Sequence, residues 1–263
     1  ASLVVGDFKS QMLPKRVKLI SKATYNANDP NEDAHCVQNE AEGSSLTIAV
    51  MDGHGGPLVS SFIREHINKV FREKLQKALA DSPTGRLQDD DGDDPSNKPA
   101  SMQSILEDSF DLLDKQILQH AHQKGDIGER WTMCGSCCVF VYMDLDRTHS
   151  DYACYVASVG DCRAVVAVLP PSSPISPSEA AGQLTTEWPF DWPRLQHIKL
   201  SKDHNARVST EAMAIMRAFP LEPDAVSFLP GDPDTPRVKG VLQLTRAFGN
   251  GFLKVNSSNC GCD

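Results

Sequence analysis

The stretch LTIAVMDGHGG at residues 46–56 decides how this chain folds. Its β-branched and apolar residues predict a buried strand over residues 46–51. An acid, a glycine and a histidine follow, and two further glycines then allow the chain to turn into a helix. Because burial fixes the end of the strand, we expect Asp52 and His54 to emerge rigidly at the edge of a sheet.

Asp52 has chemistry suited to a metal ion. Carboxylates bind hard cations such as Mg²⁺ and Mn²⁺, which prefer oxygen ligands, and Gly53 has no side chain to keep an ion from its backbone carbonyl. The same residues are also typical of a turn in which Asp52 caps the following helix. A dinucleotide-binding loop is excluded because Leu58 stands where that motif needs glycine, and no GK[ST] follows.

Two further acidic sites accompany Asp52. Glu32 and Asp33 precede Asp52 by 19 to 20 residues, and Asp161 lies between two predicted strands. Each site alone is also typical of a solvated turn. Three acidic sites at strand ends together indicate a shared, oxygen-rich metal site.

The wider pattern predicts a single α+β domain over residues 1–263. Strands are predicted over residues 46–51, 137–143, 153–159 and 164–169, the last three as an antiparallel meander, and amphipathic helices over residues 58–79, 102–123 and 209–218. This order favours antiparallel sheet with helices packed against it. An aspartate run at about 81–100 and six prolines at about 170–193 predict surface insertions.

Composition excludes several classes of protein. Apolar residues make up 40% and charged residues 23% of the 263, as in folded soluble domains, and no apolar run reaches the length of a membrane span. The net charge of −9 disfavours nucleic acid and anionic membranes as partners. Eight cysteines in mostly apolar surroundings predict free thiols, and hence a cytoplasmic or nuclear protein, which we expect to be a monomer.

Six motifs in chain order carry a family resemblance: NED, VMDGHGG, CGSCC, SVGDCRAVVA, LSKDHNA and RVKGVLQLTRAFGN. Over about residues 18–254 the chain resembles the metal-dependent type-2C protein serine/threonine phosphatases, most closely the subgroup of pyruvate dehydrogenase phosphatase and its plant relatives. The resemblance implies two antiparallel sheets packed as a sandwich with helices on the outer faces. It also implies hydrolysis of phosphoserine and phosphothreonine in phosphorylated protein substrates.

The resemblance implies a role for each acidic residue. Asp52 would bridge two Mg²⁺ or Mn²⁺ ions, and Glu32 and the Gly53 carbonyl would bind one of them. Asp33 would orient water at the metals, and Asp161 would contribute to a third, weaker metal position. Two such cations lower the pKa of a water between them and neutralise phosphate charge.

The resemblance also implies a general acid and raises the question of phosphate binding. His54 would protonate the serine or threonine oxygen as it leaves. Many members bind the substrate phosphate with an arginine at the position that is Asn28 here. Arg163 and Arg246 are the candidates to replace that arginine, and either is equally suited to a structural ion pair.

Departures from the family pattern leave alternatives open. Asn250 stands where the family motif has aspartate, and the family's SDG and Asp-Asn motifs, each with a metal-ligand aspartate, do not occur in these residues. We therefore expect a C-terminally short domain, and the alternative function is an inactive pseudophosphatase that acts as a binding module. A weaker alternative is a zinc-stabilised scaffold held by Cys134, Cys137, Cys260 and Cys262.

Overall fold

The structure is a computed structural model that describes residues 3–7, 20–25, 28–39, 44–82, 87, 100–123, 125–145, 153–168, 196–229 and 231–254. The predicted insertion at 170–193 lies outside the described residues, as does most of that at 81–100. Cys260 and Cys262 also lie outside them.

The described residues form strands and helices in the following order. The strands are β1 (Leu3–Asp7), β2 (Ser21–Tyr25), β3 (Ala34–Asn39), β4 (Ser45–His54), β5 (Gly135–Asp144), β6 (Ala153–Val159), β7 (Val165–Val168), β8 (Gln196–Lys199), β9 (Val226–Leu229), β10 (Asp232–Val238) and β11 (Phe248–Gly249). The helices are α1 (Leu58–Asp81), α2 (Met102–Ala121), α3 (Asp126–Met133), α4 (Ser209–Ala218) and α5 (Gly251–Lys254).

The central sheet is antiparallel and has the strand order β11-β5-β4-β3, with β6 also paired to β5. β4 and β5 pair without interruption from Ser45 opposite Asp144 to His54 opposite Gly135. The predicted strand over residues 46–51 therefore continues through His54, because β5 offers it a partner along its whole length. Asp52 is a strand residue rather than a turn residue.

Helices α1 and α2 cover one face of this sheet. Along the end of β4, Met51 and Gly53 are buried while Asp52 between them is exposed, which is the alternation expected of a strand with one covered face. The ring of Phe71 on α1 lies 5.1 Å from the ring of Phe140 and 5.0 Å from that of Tyr142. This packing holds α1 against the sheet.

The predicted α+β class of antiparallel sheets with helices packed against them is confirmed. The predicted meander is confirmed for β5 and β6, but its last strand is wrong: β7 pairs with β8 instead of β6. Gly160, at φ +82°, turns the chain away from β6, and beyond the turn the backbone of Ala164 bonds to Leu200 and the Ser201 hydroxyl. Two more antiparallel pairs, β1–β2 and β9–β10, complete the described strands.

The three predicted helices are present, and Val208 is the N-cap residue of α4. The short helices α3 and α5 were not predicted. None of the helices in the described ranges has the length and apolar content that crossing a lipid bilayer would need.

Candidate metal centre

Three side chains converge at the end of the central sheet. Asp52 and Cys137 lie directly opposite each other on β4 and β5, so their side chains project from the same face. Asp161 follows β6, and its carboxylate completes a group in which one ligand atom of each residue lies within 4.8 Å of the others. Two of the acidic residues predicted from sequence, Asp52 and Asp161, are thus brought together.

The turn after β6 positions Asp161. A Cβ on Gly160 would lie 2.4 Å from the Cys137 Sγ, so only glycine lets the turn approach β5 this closely. The thiol of Cys137 donates to Asp161 Oδ1 at 3.4 Å, and Asn205 Nδ2 donates to Asp161 Oδ2 at 3.2 Å. Asn205 belongs to the LSKDHNA motif, but its contact with Asp161 was not expected from sequence.

Glu32 is held against the end of β4 through its backbone. The hydroxyl of Ser60, in the first turn of α1, donates to the Glu32 carbonyl. A Cβ on Gly53 would lie 2.2 Å from that same carbonyl oxygen. The close approach of two chain segments therefore requires glycine here, independently of any metal. Ser60 was missed by sequence reasoning because a serine in an amphipathic helix gives no signal of such a contact.

The charges around Asp52 indicate how well the site suits a cation. Burial, then the negative charges of Asp33 and Asp161, raise the pKa of Asp52, and Glu32 adds to the shift while His54 opposes it. Carboxylates gathered around Asp52 favour a divalent cation, because the cation removes their repulsion. The donor set present therefore fits an ion held by oxygen ligands.

His54 contacts Asn250 across the sheet end. Its Nε2 lies 3.0 Å from Asn250 Oδ1, and Asn250 is buried with φ of 52° and donates its backbone N–H to the Cys134 carbonyl. A Cβ on Gly135 would lie 2.4 Å from both the His54 ring and the Asn250 amide. A glycine at 135 is therefore what permits this histidine–amide pair.

Asn28 makes a second amide contact with a predicted site residue. Its Nδ2 donates to Glu32 Oε2 at 2.8 Å. Asn28 and Asn250 are positions at which this chain departs from the family pattern. Asn28 contacts the predicted metal ligand Glu32, and Asn250 contacts the predicted general acid His54.

The two candidate phosphate-binding arginines both form ion pairs. Arg163 donates twice to Asp203, at 2.8 and 2.6 Å, and this contact lowers the pKa of Asp203. Arg246 donates twice to Glu211, at 3.0 and 2.9 Å. Both guanidinium groups therefore form the ion pairs that the sequence left open as the alternative to phosphate binding.

A cavity of about 320 Å³ borders the turn that follows His54. It is lined by Gly55, Gly56, Pro57, Leu58, Glu129, Arg130, Met133 and Cys134. Arg130, on the unpredicted helix α3, was not identified from sequence. Cys134 donates its thiol to the Gly55 carbonyl at 3.0 Å and is not a member of the Asp52, Cys137 and Asp161 group.

The fold and the site together define a class: an α+β domain whose central strands end in a cluster of side chains that could hold a metal ion. The family model for Protein phosphatase 2C matches residues 18–188, more than half of the chain. The chain therefore belongs to the protein phosphatase 2C family, which confirms the resemblance drawn from its motifs.

Curated relatives agree with this assignment. Probable protein phosphatase 2C 36 of Oryza sativa subsp. japonica is 26% identical over 241 residues, covering 91% of this chain and 50% of that protein. Probable protein phosphatase 2C 67 of Arabidopsis thaliana is 26% identical over 244 residues, covering 89% and 51%. The chain spans about half the length of the curated relatives it matches.

Solved structures share the fold. A C. elegans sex-determining protein superposes with a TM-score of 0.53 at 20% identity, over 95% of this chain and 44% of that one. The serine-threonine phosphatase 2C from Toxoplasma gondii superposes with a TM-score of 0.52 at 19% identity, over 85% and 64%. At these identities the likeness is one of fold.

Proposed function

We propose that this chain carries the metal-binding part of a protein serine/threonine phosphatase that hydrolyses phosphoserine and phosphothreonine in proteins. The single observation that supports this most is the convergence of Asp52 and Asp161 within 4.8 Å at the end of the central sheet. Asp33 and Glu32 are close enough to act on the charge of Asp52. Family membership supplies the reaction class.

In this proposal the ions are Mg²⁺ or Mn²⁺. Asp52 would be the ligand shared between the ions, Glu32 and the Gly53 carbonyl would help to hold one of them, and Asp161 would contribute to a further position. Asp33 orients water. Bound divalent cations polarise water and neutralise phosphate charge, which is the chemistry that the oxygen ligands bring to the reaction.

His54 is the general acid of the proposal, and Asn250 is positioned to orient its ring. The His54 Nε2 lies 3.0 Å from Asn250 Oδ1. A neutral amide orients the ring without adding a buried negative charge. The leaving serine or threonine oxygen takes its proton from this ring.

Binding of the substrate phosphate has three candidates. Arg163 and Arg246 serve this role only if each leaves its carboxylate partner, Asp203 or Glu211. Arg130 lines the cavity beside the turn after His54 and is the third.

An inactive pseudophosphatase is the second candidate function. The observations that favour it are the two amide contacts, because Asn28 occupies one oxygen of Glu32 and Asn250 occupies Nε2 of His54. A binding module would retain such contacts without turnover.

Phosphate release from a phosphothreonine peptide in Mn²⁺ separates the two functions. For a phosphatase, Asp52→Asn lowers turnover roughly 100-fold or more, because metal ions contribute several kcal/mol to such reactions. Asp108→Asn, an exposed carboxylate on α2, is the matched control and leaves turnover unchanged. If the parent protein releases no more phosphate than D52N, the pseudophosphatase replaces the enzyme.

The free cysteines and the net charge bear on where the protein acts and on its partners. We propose a monomer in a reducing compartment, the cytoplasm or nucleus, because the six cysteines within the described ranges are free thiols. Phosphorylated proteins are the partners, and the net charge of −9 argues against nucleic acid and anionic membranes.

A further inference from the structure

We propose that Asp114, on α2, is a positioning residue for the proposed phosphatase reaction, because it fixes the backbone that holds Asn250 against the general acid His54. This inference rests on the role of His54 in the proposed function. It assigns a task to a half-buried carboxylate that belongs neither to the Asp52 cluster nor to the lining of the cavity.

Helix α2 contacts β11 at two successive residues. Phe110 and Asp114 lie one helical turn apart and therefore face the same way. The ring of Phe110 lies 5.1 Å from that of Phe248, and Asp114 Oδ1 accepts the backbone N–H of Gly249 at 2.8 Å. Since β11 also pairs with β5 at Phe248 and Gly249, the short strand is fixed from two sides.

The second oxygen of the same carboxylate binds the far end of this segment. Asp114 Oδ2 accepts a hydrogen bond from Lys254 Nζ at 2.7 Å, and Lys254 also donates to the Ala247 carbonyl at 2.6 Å. The side chains of Asp114 and Lys254 are 25% and 33% exposed, so water screens their ion pair only in part. Through these contacts one carboxylate ties the two ends of the segment 247–254 together.

Asn250 depends on this support because its backbone conformation is unfavourable. Its φ is 52°, in the left-handed region that residues other than glycine adopt only where their surroundings maintain it. Two bonds do so here: its own N–H goes to the Cys134 carbonyl at 2.8 Å, and the N–H of Gly249 goes to Asp114. The Asn250 side chain is buried, and its Nδ2 has no hydrogen-bond partner within the described ranges. The backbone therefore sets where this amide lies.

A shift of this backbone would reach His54 directly. Asn250 Oδ1 lies 3.0 Å from His54 Nε2, and the two side chains meet where even a Cβ at Gly135 would collide with both. Without Asp114 the N–H of Gly249 loses its acceptor, and the amide loses its fixed place beside the ring. Misplacing a catalytic group by about 1 Å costs up to about 100-fold in rate.

The choice of leaving group tests this inference. When the P–O bond of a phosphothreonine peptide breaks, the leaving alkoxide needs the proton of His54, whereas p-nitrophenyl phosphate releases a stable phenolate without one. We expect Asp114→Ala to lower kcat for the peptide at least about tenfold with KM little changed, against the roughly 100-fold or more that a general acid supplies. For p-nitrophenyl phosphate the loss should stay below about twofold, because no proton transfer is required.

Two further variants separate positioning from loss of an ion pair. Asp224→Ala is the matched control, since Asp224 also accepts from a lysine, Lys239 at 2.9 Å, but lies outside the site. It should change neither rate. Asp114→Asn keeps an oxygen that accepts the N–H of Gly249 and should restore most of the peptide turnover. Equal losses in D114N and D114A would overturn the role of the Gly249 contact.

Nuclear magnetic resonance at fixed pH gives readouts that need no turnover. The His54 ring signals, identified by their loss in His54→Gln, should shift in D114A but not in D224A. The Gly249 amide of the parent protein should exchange slowly with solvent, a measurement that needs no variant.

The outcomes distinguish this inference from the proposed function. Equal losses on both substrates in D114A, unchanged His54 signals, or rapid exchange of the Gly249 amide would each overturn the positioning role and leave the proposed phosphatase standing. If the parent protein releases phosphate from neither substrate, the proposed function fails. The His54 signals and the Gly249 exchange then decide whether Asp114 positions the ring.

Discussion

Gly53 lies where the Glu32 backbone crosses the end of β4. A side chain there would meet the Glu32 carbonyl oxygen at 2.2 Å, and the Ser60 hydroxyl at 3.0 Å. The strand and the Glu32 segment would have to separate to admit even one methyl group. Because Glu32 and Asp52 are the proposed ligands on either side of this contact, the separation would also spread the metal site.

We therefore predict that Gly53→Ala lowers the free energy of unfolding by about 1–3 kcal/mol, as overpacking does, and weakens Mn²⁺ binding. Thermal unfolding and calorimetry measure the two effects. Gly251→Ala is the control, since its Cβ would approach nothing closer than 3.0 Å. Equal melting temperatures for the two variants would show that the Glu32 segment gives way without cost.

The proposed site residues were identified from the sequence, but most of their contacts were not. Asp52 stands out because an acid interrupts an apolar strand. The pairing of His54 with Asn250 joins residues 196 apart in sequence, and nothing local to either one indicates it. The apolar neighbours of Cys137 predict a core residue. Only its pairing with β4 shows on which face of the sheet its side chain lies.

At the scale of elements, α1 supports the site from behind. It begins at Leu58, directly after the glycine turn, and its Ser60 holds the Glu32 carbonyl while its Phe71 contacts Phe140 and Tyr142 on β5. The same helix therefore fixes both the segment that carries Glu32 and the strand β5.

Removal of the Phe71 ring should destabilise the fold severely. Phe71 is 1% exposed, and a buried Phe→Ala exchange costs about 3–5 kcal/mol. Phe228→Ala on β9, where the ring is 53% exposed, is the control and should change stability little. Chemical denaturation compares the two. Similar losses for both variants would contradict the placement of Phe71 in the core.

Elements with a strong local pattern were predicted, and those that depend on distant partners were not. Helices α1 and α2 carry clear apolar stripes. Strand β10 contains Pro233 and Pro236, which argue against a strand in sequence, and it forms by pairing with β9 around an irregular register. β7 was assigned to the wrong neighbour because its partner, β8, lies beyond the long segment of residues 169–195.

At the scale of the whole molecule, ion pairs tie remote segments together. Glu211 on α4 accepts hydrogen bonds from Thr245 and Arg246, 34 and 35 residues away. Burial acts to raise the pKa of Glu211, but these hydrogen bonds and the Arg246 charge outweigh it and leave the pKa lowered. The carboxylate is thus more acidic in the folded than in the unfolded chain.

The sign of this shift predicts a pH dependence. A lowered pKa stabilises the fold at pH values above the unfolded value of about 4.3, and the contribution disappears as the pH falls through the folded value. The melting temperature of Glu211→Gln should therefore lie below that of the parent at pH 7 and approach it below about pH 4. Glu107→Gln, exposed on α2, controls for loss of one charge. A difference that stays constant with pH would contradict the prediction.

Because β4 and β5 pair without interruption, a shift in their register would affect the core and the proposed metal site together. A slip of β4 by one residue along β5 would turn Asp52 toward the helices and expose Met51 in its place. Such a misaligned molecule would lose core packing and the proposed metal site in the same event. If the proposed site binds an ion, the chains that bind it are therefore the correctly aligned ones.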